Sequence, residues 1–170
     1  LPSFQKGLHL FQGRRLEEAK SHFEECLQLY PTDAVSQLYL RRCQAYEANN
    51  KITVFLRSEC HLSPILGEEG DIEKLAEEFE LITFESGDCI VKGGEPGLHF
   101  YLLFDGRADV FVKKGDGGDL KVATLKRGEC FGETSLLTGD SVSVTITSVG
   151  RSQILAINRT QFDSLLHQYP

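Results

Sequence analysis

The hydrophobic period of this chain changes near residue 80, and that change limits the folds open to it. Before it, apolar residues recur at spacings of three and four, as one face of a helix requires. After it, short alternating apolar runs are separated by glycine turns, as half-buried strands require. The chain therefore reads as α+β, with helices first and an antiparallel sheet structure after.

Residues 4–12 form a short amphipathic stretch interrupted at Gly13. From Arg15 to Tyr30, Leu16, Ala19, Phe23, Cys26, Leu27 and Tyr30 share one face, and Pro31 stops the helix because it cannot continue the hydrogen-bond ladder. Thr32 and Asp33 are good caps for a third helix through Val35, Leu38, Tyr39, Arg42 and Tyr46, which ends in the polar run Glu47-Ala48-Asn49-Asn50. Ile52, Val54, Phe55, Leu56, Leu62 and Ile65 make an apolar cluster, with turns at Ser63-Pro64 and from Gly67 to Gly70. Asp71 is expected to cap a helix carrying Ile72, Leu75, Ala76 and Phe79, with Glu77, Glu78 and Glu80 on its solvated face.

Strands are expected at 81–84, 89–91, 99–104, 108–112, 120–125, 142–149 and 153–157, and a last helix from Arg159 to Tyr169 with Phe162, Leu165 and Leu166 inside. Asp105-Gly106 is a hairpin signal. About eight short strands with glycine turns indicate an antiparallel roll or barrel of jelly-roll type.

Composition removes several classes of function. A chain of 170 residues with 41% hydrophobic and 25% charged content fits one core with a small appendage. A net charge of −7 argues against nucleic acid or an anionic membrane as partner. No apolar run is long enough to span a bilayer. The sequence shows no signal peptide, and its start at Leu1 is expected to be that of a piece of a larger protein. The 5 cysteines, Cys26, Cys43, Cys60, Cys89 and Cys130, are odd in number and widely spaced, which fits a reduced cytoplasmic setting. They form no clustered set of metal ligands, so no metal site is expected. Ser135 and Glu133 have no histidine partner nearby in sequence, so no catalytic residues are expected and the chain reads as a non-enzyme.

The run Phe131-Gly132-Glu133-Thr134-Ser135-Leu136-Leu137-Thr138-Gly139 carries the functional signal. A bulky residue and a glycine precede a carboxylate and a short helix that opens on small hydroxyl residues. Amides at a helix start favour an anion, and a carboxylate there can accept from sugar hydroxyls. This segment resembles the phosphate-binding cassette of the cyclic-nucleotide-binding domain family, which reads F-G-E-x-A/S-L and, several residues later, P-R-S/T/A-A. Leu75-Ala76-x-x-Phe79, Ser86-Gly87-Asp88-x-Ile90, Gly94-x-x-Gly97-x-x-Phe100-Tyr101 and Asp105-Gly106 fall in the family's order and spacing. The resemblance covers roughly residues 52–169, so that 51–170 is expected to be one such domain.

The resemblance implies site residues. Glu133 would accept from the ribose 2′-hydroxyl, and amides around Gly132 and Ser135 would hold the ribose and cyclic phosphate, with Thr134 between them. Val142 stands where the family carries the phosphate-binding arginine. Ser143 stands where some members contact a guanine base. Losing one member of a buried charge pair costs about 2–5 kcal/mol. At ~1.4 kcal/mol per decade, cAMP or cGMP would bind roughly 30-fold to over 1,000-fold more weakly. Lys121, Lys126 and Arg127 are substitute cations by number alone, or simply strand and turn residues facing water. Glu133 can equally serve to cap the cassette helix.

Residues 1–50, with Gly7, Ala19, Phe23 and Pro31, resemble a tetratricopeptide helical hairpin. Small residues at Gly7 and Ala19 would let two helices approach, and a single repeat needs neighbours to bury its apolar face. The alternative is a helical hairpin that merely packs on the β domain. Together these features imply a regulatory sensor for a cyclic nucleotide or nucleoside-like molecule, with a protein partner or output domain engaged by the hairpin. The second reading is a ligand-free docking or dimerisation scaffold of the same fold. No cofactor is expected.

Overall fold

The computed structural model describes residues 2–59, 69–115 and 117–168. The chain divides into two compact units, Leu1–Ile52 and Thr53–Pro170.

The first unit is helical. It contains α1 (Pro2–Gln12), α2 (Leu16–Leu29) and most of α3 (Ala34–Ser58). Leu10, Ala19, Phe23 and Cys43 form its core, with Phe4, Phe11, Leu16, Tyr39 and Leu40 packed around them. The Phe23 and Tyr39 rings stack at 5.4 Å. A β-carbon at Gly7 would meet Phe23 Cε1 at 2.9 Å, so the glycine admits α2 closely against α1. Asp33 caps α3, accepting from the amides of Val35 at 3.3 Å and Ser36 at 3.2 Å. These bonds, with the Ser36 hydroxyl first among them, hold its carboxyl below the usual range.

Helix α3 does not stop at Asn50; it runs on to Ser58. The polar run that suggested an end is held by the Lys20–Glu47 pair at 2.9 Å, and the helix regains an apolar face at Ile52, Phe55 and Leu56, all buried. Cys60, Leu62, Ser63, Pro64, Ile65 and Gly67 lie outside the described residues.

The second unit adds α4 (Glu69–Glu78), two four-stranded antiparallel sheets, α5 (Glu133–Thr138) and α6 (Arg159–Gln168). Helix α4 starts two residues before Asp71, which is therefore not its cap. One sheet has the order β1-β8-β3-β6, from β1 (Glu80–Phe84), β8 (Ser152–Asn158), β3 (His99–Asp105) and β6 (Cys130–Phe131). The other has the order β2-β7-β4-β5, from β2 (Cys89–Val91), β7 (Thr145–Ser148), β4 (Arg107–Lys113) and β5 (Asp119–Lys126). Ile90, Leu103, Ala108, Val110, Phe131, Ile146 and Ile154 form the core that both sheets share. The α+β class and the roll expected from sequence are present.

Two strand expectations change. Asp105-Gly106 does not make a hairpin: β3 and β4 belong to different sheets, and the turn is a corner between them. Gly106 has φ +89°, and a β-carbon there would lie 2.6 Å from Ser152 Oγ. Buried Ser152 ties the corner, donating to Arg107 O at 2.8 Å while accepting from Ser148 Oγ at 2.9 Å. Residues 142–144 are also outside β7, which spans Thr145–Ser148, and the main chain of Val142 pairs instead with the turn at Gly94 and Glu95. Among the described residues, no helix is long and apolar enough to cross a membrane.

Candidate functional site

The cassette is a six-residue helix, α5, too short to persist alone in water. It stands because its surroundings hold it at both ends. Strand β6 delivers it: Tyr101 pairs with Phe131 and their rings stack at 5.0 Å, 16° from parallel. Burial pushes the Tyr101 phenol up in pKa. Gly132 then turns the chain at φ +91°, where a β-carbon would lie 2.5 Å from His99 O. The left-handed backbone and the lack of room both demand glycine there.

Ser135 and Leu136 are buried under the helix. Ser135 faces Gly97, where a β-carbon would come within 2.2 Å of Ser135 Cβ. Gly139, in the left-handed region, closes the helix with its amide donating to Ser135 O at 3.0 Å. Arg159, the first residue of α6, donates through Nη2 to the carbonyls of Ser135 and Leu136. The first turn of α6 is itself fixed. Asn158 and Gln161 cap each other reciprocally at 2.9 and 3.0 Å, and Gln161 also donates to Glu78 of α4.

The return segment lies against the turn at 93–96. Val142 N donates to Glu95 O at 2.9 Å, and Val142 O accepts from Gly94 N at 2.8 Å. Gly93 N donates to Thr145 Oγ1 at 3.0 Å, and Pro96 bridges to Ser141. The loop at 93–97 thus touches both halves of the site expected from sequence: α5 through Gly97, and the Val142 segment through Gly94 and Glu95. Gly132 and Glu133 are half-buried, Thr134 is exposed, Ser135 is buried, Val142 is half-buried and Ser143 is exposed. Thr134 Oγ1 donates to Glu133 Oε1 at 3.2 Å.

The electrostatics here are acidic. Glu133, Glu95 and Asp140 all lie in these segments, and Lys92 pairs with Glu95 at 3.6 Å. Partial desolvation, then the charges of Glu133 and Glu129, push the Cys130 thiol up in pKa. Two of the three candidate substitute cations are committed elsewhere: Lys121 to Asp109 at 2.7 Å, and Arg127 to Glu59. Arg159 is engaged by the carbonyls of Ser135 and Leu136 in the middle of α5. Its role was not visible in the sequence, because its partners lie 23 and 24 residues away. Among the described residues, no group of three or more metal-ligating side chains gathers.

Known proteins resemble this chain in sequence and in fold. The cAMP-dependent protein kinase regulatory subunit of Yarrowia lipolytica is 37% identical over 105 residues, 61% of this chain and 27% of that one. The cGMP-dependent protein kinase of Plasmodium berghei is 33% identical over 100 residues, 59% of this chain and 11% of that one. This chain therefore spans a minor part of the curated relatives it matches. Among solved structures, the regulatory subunit of a cAMP-independent protein kinase A from Trypanosoma brucei superimposes with a TM-score of 0.66. It is 25% identical, over 74% of this chain and 46% of that one. The regulatory domain of Toxoplasma gondii protein kinase A with cAMP gives a TM-score of 0.68 at 23% identity, over 74% and 48%. The model of the cyclic nucleotide-binding domain matches residues 81–169, over half of the chain, and the chain belongs to that family.

Proposed function

We propose that this chain is a regulatory sensor module of a larger protein, whose cyclic-nucleotide-binding site is altered at the phosphate end. Glu133 accepts from the ribose, and main-chain groups of Gly132, Thr134 and Ser135 line the sugar. Val142 and Ser143 form the wall where the cyclic phosphate or the base edge would lie. The observation that carries this reading is Val142. It is half-buried, both its main-chain polar groups are spent on Glu95 and Gly94, and its side chain can neither donate a hydrogen bond nor carry charge. An anion would meet an apolar wall flanked by carboxylates. cAMP and cGMP are therefore weak ligands, and a neutral nucleoside loses little by comparison.

The relative from Trypanosoma brucei, described as the regulatory subunit of a cAMP-independent kinase, supports such a departure within the family. Ligand arrival draws α5 toward the roll, and Arg159 passes that motion to α6. Only a ligand with different affinity for the two arrangements can do this. Calorimetric titration of the chain with cAMP, cGMP and adenosine tests the reading. Binding in the micromolar to millimolar range supports it, and silence from all three at millimolar concentration defeats it.

The second reading is a scaffold of the same fold without a ligand, and apolar Val142 is the observation in its favour. In either case the helical unit is the surface for a protein partner or output domain, of tetratricopeptide type. Support comes from Leu29, Tyr30, Val35 and Leu38, large apolar side chains left exposed around the α2–α3 turn. Cys26, Cys43, Cys89 and Cys130 are free thiols, which suits a cytoplasmic setting. We assign the chain no catalytic role.

A further inference from the structure

The turn at residues 126–129 joins β5 to β6 and so leads directly into Gly132 and Glu133. Arg127 on this turn reaches the C-terminal end of α3. Its Nε and Nη2 donate to the two carboxylate oxygens of Glu59, the second at 3.0 Å, and its Nη1 donates to Phe104 O. The guanidinium also lies 4.8 Å from the centroid of the Phe55 ring and 5.2 Å from that of Phe104. Those rings meet edge to face at 4.9 Å.

Gly128 completes the contact. Its φ is +88°, and a β-carbon there would lie 2.8 Å from Glu59 O. On its other side the turn is sewn to β3: Gly128 N donates to Leu103 O, and Leu103 N donates to Glu129 O, both at 2.9 Å. One short turn therefore touches the end of a helix, a core strand and the entrance to the cassette.

We propose that Arg127 couples the cassette to α3, so that the C-terminal end of α3 reports whether the site is occupied. The proposal rests on the sensor reading above. The chemistry suits a reversible contact. A planar guanidinium can pair in a fork with a carboxylate while stacking on rings, which a lysine ammonium cannot. The ion pair is nearly half-exposed, with side-chain exposures of 39% for Arg127 and 45% for Glu59, so water can replace either partner when the turn shifts. Phe55, by contrast, is 1% exposed and stays anchored. The end of α3 can thus loosen at Glu59 without leaving its seat.

Hydrogen exchange read by mass spectrometry on the whole chain tests this. The reporter is the last turn of α3, where Glu59 N donates to Phe55 O at 2.9 Å. Without ligand, Arg127→Met should speed exchange at 55–59 by at least about fivefold, leaving β3 and β8 unchanged. Arg127→Lys should not restore protection. With saturating cAMP or adenosine, wild type should change its protection at both 132–139 and 53–59. Arg127→Met should bind with a Kd within about threefold of wild type, yet change only at 132–139.

Glu59→Gln removes the charge from the helix side and should break transmission in the same way, so poor folding of one variant leaves the other decisive. A wild-type-like ligand response at 53–59 in both variants would overturn the coupling. So would a wild type that binds and changes at the cassette while 53–59 stays silent. A wild type that binds neither ligand would remove the sensor reading itself, and the coupling with it.

Discussion

Gly97 makes room for Ser135: a β-carbon at position 97 would stand 2.2 Å from Ser135 Cβ and 3.0 Å from its Oγ. The backbone at Gly97 is not in the left-handed region, so the requirement is for space alone. This approach seats the cassette helix on the loop that also holds Val142. Gly97→Ala should therefore cost about 1–3 kcal/mol, as overpacking does in a tight core. Ser135→Gly in the same chain should recover most of that loss. Urea unfolding of the two single variants and the double variant checks it; a double variant no more stable than Gly97→Ala would refute the contact.

Val142→Arg should raise cAMP affinity at least about tenfold, since a guanidinium can fork onto the cyclic phosphate in a partly desolvated site. Adenosine, lacking the phosphate, should gain nothing. Titration of both ligands into the folded variant checks this, and equal gains for the two would mean that the position does not face the phosphate.

Glu133→Ala should remove measurable nucleotide binding. A hydrogen bond to a charged group contributes about 1.5–3 kcal/mol, and on the proposed reading Val142 gives the phosphate no partner to offset its loss. Thermal unfolding shows whether the variant stays folded, and calorimetry then reads binding. Wild-type affinity in a folded Glu133→Ala chain would exclude this carboxylate as the ribose acceptor.

Asp109 on β4 faces β5, accepting from Lys121 at 2.7 Å and from Thr124 at 2.6 Å. The Lys121 hydrogen bond, then that from Thr124, lowers its pKa below the ordinary carboxylate value. A carboxyl whose pKa falls on folding stabilises the native state above its unfolded pKa, and that stability is lost as pH drops through the folded value. Wild type should therefore exceed Asp109→Asn in stability by a constant margin at neutral pH. The margin should shrink below about pH 4, the ordinary range for aspartate. Thermal melts of both chains between pH 7 and pH 2.5 check it; a margin that grows in acid would contradict the assignment.

The sheets were legible wherever period and punctuation agreed. Cys89–Val91, bounded by Gly87 and Gly93, was found to the residue, because a short alternating run between glycines has few other conformations. The end of α3 was not legible. Asn49 and Asn50 are weak helix formers, and their place is set by the Lys20–Glu47 pair behind them and the burial of Phe55 and Leu56 ahead. Asp105-Gly106 has the sequence of a hairpin, yet the distant Ser152 makes it a corner between sheets. In the candidate site, Gly132 to Ser135 form a contiguous motif that can be read in sequence. The commitments of Arg127 to Glu59 and of Arg159 to the cassette carbonyls were not, because 68 and 23 residues separate the partners. A list of cations in sequence says nothing about which carboxylate or carbonyl each has already found.

The most direct test of a sensor weakened at its phosphate end compares cAMP with adenosine on the wild-type chain by calorimetry. The two ligands differ by the cyclic phosphate, and Val142 offers it no charge. Measurable binding of both, with affinities within about threefold of each other, is the expected result. A cAMP affinity more than about thirtyfold above that of adenosine would contradict it, because some cation would then be reaching the phosphate.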